Sequence, residues 1–163
     1  MDRIWAPWRV EYVTSGYKER DRCFLCLDSS DDESSLVVHR SQKAFVIMNR
    51  FPYNNGHVMV TPIRHIASLE DLEEEEILQI FGLLRILSKI FKEDFRVDGI
   101  NVGLNLGRAS GAGLEDHLHV HVVPRWFGDT NFMPVISETK IISEHLLSTY
   151  QKLRKRFKEI LSL

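Results

Sequence analysis

Apolar residues change their spacing several times along the chain, and each change marks an element. Leu36 to His39, Ala44 to Met48 and His57 to Thr61 are short β-branched or aromatic runs separated by turn chemistry, including Asn54-Asn55-Gly56. They predict an antiparallel meander. From Ser68 the period lengthens: Ser68 is placed to cap, Glu70 to Glu76 load acid onto the positive end of a helix, and Ile77, Phe81, Leu84, Leu87 and Phe91 recur at helical spacing. Ile100 to Leu104 and His117 to Val123 return to strand. A last helix from about Ser143 carries Leu146, Tyr150, Leu153, Phe157 and Ile160 on one stripe. Strands and helices alternate too coarsely for repeated βαβ units. The expected class is α+β, an antiparallel sheet of about five strands packed by one long central helix and a C-terminal helix.

Composition narrows this without redirecting it. The chain has 163 residues, 44% hydrophobic and 27% charged, enough to bury a core within a single domain over 1–163. The formal net charge is -2 and the basic residues are dispersed, apart from a late cluster at Lys152 to Lys158, so nucleic acid is not an expected partner. No stretch reaches the roughly 20 apolar residues of a membrane span. The start, with Asp2, Arg3, Trp5 and Pro7, does not read as a signal peptide, and a cytoplasmic location is the expectation by elimination. Cys23-Phe24-Leu25-Cys26 holds the only two cysteines. In a reducing compartment that pair points to metal ligation or redox chemistry ahead of a structural disulfide.

The densest chemistry is His117-Leu118-His119-Val120-His121, which holds three of the seven histidines. Side chains alternate along a strand, so the three rings share one face while Leu118, Val120 and Val122 share the other. With the apolar face in the core, the imidazoles lie on an exposed face, where packing gives them no purpose. Imidazole suits proton transfer, phosphoryl attack or metal ligation near neutral pH. At about 3.3 Å per residue the outer two rings are roughly 13 Å apart at Cβ, so the three must divide the work.

The run His-Leu-His-Val-His-Val-Val is similar to the His-φ-His-φ-His-φ-φ signature of the histidine triad superfamily of nucleotide-binding enzymes. Ile4 to Arg9, Met48-Asn49-Arg50, Gly56-His57-Val58, Pro124-Arg125-Trp126 and Gly128 to Phe132 extend the likeness over nearly the whole chain. The Trp-rich start, within an N-terminal extension over 1–22, and the segment after Pro124 resemble the diadenosine tetraphosphate phosphorylase-like and Fhit-like branch. The resemblance implies a homodimer that takes an adenine nucleotide, such as diadenosine tetraphosphate. It cleaves at the α-phosphate through a nucleotidyl-histidine, without an organic cofactor. An adenosine phosphoramidate hydrolase, or a nucleotide-binding sensor with incidental turnover, fits the same triad.

By that resemblance His119 is the nucleophile, His121 bonds the phosphate or leaving oxygen and helps protonate it, and His57 supports His121 from the neighbouring strand. Asn49 matches the residue that binds ribose hydroxyls. Ile47 and Phe45 are placed to touch the base, an ordinary core role being the alternative for either. Asn105 matches a phosphate-binding position, and the main chain of Ala112 and Gly113 a phosphate cradle, in a small-residue loop from Gly107 that suits close backbone approach. Some members carry serine where this chain has Gly113, so a hydroxyl contact is missing unless Ser110 or Arg108 supplies it.

Zinc-bearing relatives use a cysteine pair like Cys23 and Cys26, the histidine after the Thr61-Pro62 strand end, here His65, and the first histidine of the triad, His117. The resemblance therefore implies a structural Cys₂His₂ zinc, with free thiols or a redox dithiol as the alternatives. The acidic run Asp71 to Glu76 reads as a solvated helix start, and the basic residues of the last helix as a solvated face. His39 and His145 have no motif around them. Trp5, Trp8 and Trp126 fit either the nucleotide site or a contact between subunits.

Overall fold

A computed structural model describes residues 23–28, 32–111, 113–131 and 140–162. Trp5, Trp8, Ala112 and Phe132 lie outside the described residues. The expected meander is present as β1 (Val37–Arg40), β2 (Ala44–Met48) and β3 (Val58–Pro62), followed by the long helix α1 (Glu74–Glu93). Then come β4 (Gly99–Leu104), β5 (Val120–Arg125) and α2 (Leu146–Leu161). All neighbouring strands are antiparallel and the order is β1-β2-β3-β5-β4, so β5 inserts between β3 and β4. No helix among the described residues is long and apolar enough to cross a membrane.

Period-two alternation divides the sheet's apolar residues between two cores. Val46, Met48, Val58, Val60, Val120 and Val122 pack under the helices, against Leu87, Ile90, Phe91, Leu153 and Phe157. Val37, Phe45, Ile47 and Met59 face the other way, where Leu25 and Leu114 cover them. This second cover comes from loop residues, which carry no period. It is why the face carrying the histidines is not a solvated one.

The stripe predicted for α2 is the one observed: Tyr150, Leu153 and Phe157 are buried, and Leu146 and Ile160 pack at its ends. The helix starts at Leu146, capped by His145, whose Nδ1 accepts from the Leu147 N–H at 3.3 Å. The stripe predicted for α1 is rotated. Ile80, Leu83, Leu87, Ile90 and Phe91 enter the core, whereas Ile77 and Phe81 are exposed, the latter at 67%. Two apolar stripes share this helix, and periodicity alone does not say which one meets the sheet. Ser68 makes no cap bond. It precedes a 3₁₀ turn over Leu69–Asp71, and α1 opens on a reciprocal Glu73–Glu76 capping box. Glu76 is also fully buried, paired with Arg64 through bonds of 2.8 and 2.7 Å, which hold its carboxyl below the usual carboxylate range. The acidic run is therefore not wholly solvated.

The histidine strand starts later than expected, at Val120. The preceding peptides are taken by irregular partners. Leu118 N–H donates to Ile66 O at 2.6 Å, the buried Thr61 hydroxyl donates to Leu118 O at 2.7 Å, and the His119 ring bonds His117 O.

Candidate active site

Cross-strand register aligns Val37, Ile47, Met59, His121 and Gly103 in one row across all five strands. Ile47 therefore shares the histidine face, two strands from His121, but at 4% exposure it is part of the second core together with Phe45. On the other side of His121 lies Gly103, where an added Cβ would meet nothing within 4 Å. The histidine face is closed towards β1 and open towards β4.

His57 stands immediately before β3 and is fully buried. Its Nδ1 accepts from the Tyr53 N–H at 3.1 Å, and its Nε2 is 2.9 Å from His121 Nδ1. A peptide N–H can only donate, so neutral His57 carries its proton on Nε2 and gives that hydrogen bond to His121 Nδ1. Neutral His121 then carries its own proton on Nε2. Burial, with the His121 and His119 rings nearby, pushes the His57 pKa down to about 3 and keeps the ring uncharged. Tyr53 stacks on His57 at 4.7 Å between ring centroids, and the His119 and His121 rings meet edge to face at 4.9 Å.

His119 Nδ1 donates to His117 O at 2.8 Å. A carbonyl can only accept, so the proton is on Nδ1 and the lone pair on Nε2. The ring is 6% exposed, not on an open face as the alternation predicts, because the chain enters the sheet beneath the second core. Among the described residues Nε2 has no partner and no buried side-chain nitrogen lacks one, so this atom is the part of the ring that keeps access to the surface. Burial lowers the His119 pKa.

His117 is fully buried and turned to a different task. Its Nε2 donates to Pro62 O at 2.9 Å, leaving the Nδ1 lone pair 3.4 Å from Cys23 Sγ and 3.7 Å from Cys26 Sγ. His65 Nδ1 is 3.2 Å from Cys26 Sγ. All four ligand atoms lie within 4.8 Å of one another. Tetrahedral zinc, with Zn–S near 2.3 Å and Zn–N near 2.0 Å, separates its ligand atoms by roughly 3.3 to 3.8 Å, close to the three sulfur–nitrogen distances above, and the donor set suits that ion. The backbone carbonyl on His117 Nε2 is the outer partner expected of a ligating imidazole. Burial and the neighbouring Cys23 push the Cys26 thiol up to about 11, so this thiol stays protonated unless a cation balances it.

The remaining nucleotide-site positions are placed less tightly. Asn49 is half-buried, its Oδ1 accepting from Phe51 N–H at 2.9 Å and its Nδ2 lying 3.4 Å from His57 Nε2. Asn105 follows the end of β4, one alternation beyond Gly103. A 3₁₀ turn at Arg108–Ser110 leads to Gly113, which is half-buried. The Ser110 hydroxyl donates to Gly107 O at 2.7 Å, and the exposed Arg108 pairs with Glu115 at 3.2 Å, so the structure gives neither a phosphate-facing role. Sequence reasoning missed Tyr53, Asn54 and Asp129. Aromatic and polar loop residues carry no periodic signal, and Asn54 and Asp129 meet across 75 positions.

The family model described as HIT domain matches residues 31–128. A protein of Mycobacterium tuberculosis named AP-4-A phosphorylase is 38% identical over 91% of this chain and 80% of its own length. A bis(5'-adenosyl)-triphosphatase of Dictyostelium discoideum is 31% identical over 56% of this chain and 60% of its own. Among solved structures, a Zn-bound histidine triad family protein from Mycobacterium smegmatis superposes with a TM-score of 0.68, at 23% identity, over 86% of this chain and 96% of that one.

Proposed function

The chain belongs to the HIT domain family as a nucleotide phosphorylase or hydrolase, and from that premise we propose that it cleaves a dinucleoside polyphosphate such as diadenosine tetraphosphate through a nucleotidyl-His119 intermediate. The observation that carries the reading is the 2.8 Å bond from His119 Nδ1 to His117 O, which leaves the nucleophilic lone pair on Nε2. Nε2 attacks the α-phosphorus and the bond to the bridging oxygen breaks. The Nε2 proton of His121 passes to the departing oxygen, and His57 keeps His121 in the tautomer that holds this proton. In the second step phosphate or water displaces the imidazole, returns its proton to His121 and releases ADP or AMP. Asn49, Asn105 and the backbone at Ala112 and Gly113 are the groups assigned to ribose and phosphate, and Ile47 to the edge of the base pocket. The likeness to the phosphorylase spans 91% of the chain against 56% for the triphosphatase, which supports phosphate as the acceptor.

The test is to incubate the protein with diadenosine tetraphosphate, with and without inorganic phosphate, and resolve the products. ADP plus ATP is expected when phosphate is present. AMP plus ATP alone would make the enzyme a hydrolase, and no cleavage in either case would sink the reading.

Cys23, Cys26, His65 and His117 would hold zinc. Bound there, the ion supplies a structural tie between the cysteine turn, the end of β3 and the peptide leading to His119. A homodimer is supported by the outer edge of β4, where Val102 is 55% exposed, and by a groove of about 340 Å³ whose lining includes Leu84, Ser88, Ile100 and Val102. Sedimentation of wild type against Val102→Lys tests it, with a shift to monomer expected.

A further inference from the structure

Behind the His57–His121 pair lies a buried polar junction to which nothing above gives a role. Asp129 has a side chain only 5% exposed. Its Oδ2 accepts from Arg125 Nε at 2.6 Å, Asn54 Nδ2 at 2.8 Å and Trp126 N–H at 3.1 Å, while Oδ1 accepts from Thr130 Oγ1 at 3.1 Å. Arg125 also donates to Asn101 on β4 at 2.9 Å, and the Lys140 ammonium bonds the Asp129 carbonyl. Asn54 has both amide hydrogens engaged, the second partner being Pro124 O at 3.0 Å. Beside it Gly56 packs on Pro124, where a Cβ would lie 3.1 Å from Cγ. The turn before β3 is thereby fastened to the end of β5, three residues from His121.

What the turn holds is His57. Asn54 O accepts the His57 N–H at 3.2 Å, and the adjacent Tyr53 N–H is the donor on His57 Nδ1. Main-chain groups of two successive residues grip His57 at its backbone and at its ring. Their orientation is set by the Asn54 amide, and that amide is set by the carboxylate.

We propose that Asp129, acting through Asn54, is a positioning residue for the reaction: it aims the Tyr53 N–H at His57 Nδ1 and so imposes the tautomers of His57 and, in turn, of His121. The inference rests on the nucleotidyl-transfer reading above for its effect on turnover, though not for its effect on the rings. If the Tyr53 N–H is lost, His57 can hold its proton on Nδ1 and accept at Nε2. His121 then donates from Nδ1 and keeps a bare Nε2, with no proton for the leaving oxygen. The His119 lone pair is unchanged, so the loss falls chiefly on kcat.

Asp129→Asn and Asn54→Ser test this in the full-length protein by two readouts, kinetics with diadenosine tetraphosphate and ¹⁵N-histidine NMR. Wild type should show neutral His57 and His121 both protonated at Nε2. Each variant should mix or invert these tautomers and lower kcat by about 10- to 100-fold, the scale of a displaced general acid, with KM within about twofold. A folded variant with wild-type tautomers overturns the proposal, whether kcat falls or not. Altered tautomers with unchanged kcat would leave the positioning intact and remove His121 from the proposed chemistry, so the two failures are distinct. Should both variants fail to fold, the wild-type spectrum decides: His57 protonated at Nδ1 overturns the proposal.

Discussion

The two ends of the His117–His121 run are pinned by opposite kinds of neighbour. His117 meets two thiols and a second imidazole, and its Nε2 proton is taken by Pro62 O, so its lone pair faces a cluster fit for a cation. His121 meets a neutral imidazole, which is oriented by a peptide N–H and, beyond it, by a buried carboxylate. His119, between them, is held by a carbonyl two residues back. Equal spacing along one run thus serves three different proposed roles, those of a metal ligand, a nucleophile and a proton donor. The difference lies in which backbone group reaches each ring and from which side, because that choice fixes the nitrogen left with a lone pair.

The comparison can be broken first at its centre. His119→Asn should keep nucleotide affinity and lower turnover by several orders of magnitude, measured by single-turnover kinetics, because the covalent step disappears while the pocket keeps its volume. Retained turnover would assign the nucleophile elsewhere. His121→Asn should cost about 10²-fold in kcat, the smaller loss of a proton donor beside an intact nucleophile. At the other end, Cys26→Ala should abolish zinc binding by metal analysis and lower the melting temperature, with a loss of turnover smaller than either. A metal-free wild type of unchanged stability and activity would remove the zinc assignment.

The mildest probe is pH. The folded-state pKa of His57 is depressed to about 3, below the ordinary value of 6.5, so the unfolded chain binds the extra proton between these values. Its contribution to stability is complete above about pH 6.5 and is lost as the pH falls towards 3. The slope from this single site is at most about 1.4 kcal/mol per pH unit. Denaturant titrations of wild type and His57→Gln should diverge over that window.

Much of this was legible in the sequence where a period carries the information. The stripe of α2 needed only Leu146, Tyr150, Leu153 and Phe157, since one apolar face admits one orientation. In α1 the residues Ile77, Phe81 and Leu84 compete with Ile80, Leu83 and Leu87, and only the sheet decides between them. Alternation placed the three histidines on one side of the chain but not beneath a second core, because Leu25 and Leu114 come from loops. Arg64–Glu76 and Asn54–Asp129 were invisible for another reason: buried polar pairs form across distant segments, and the residue types involved are ordinary on any surface.

Gly56 sets a tolerance on the chemistry from outside it. Its φ of +74° costs any other residue about 1–2 kcal/mol, and a methyl group there would press on Pro124 at the same time. A lone hydrogen atom at this bend is what allows hairpin and strand to touch. Were it replaced, the first casualty would be the 2.9 Å approach of two imidazoles, well before any loss of the fold.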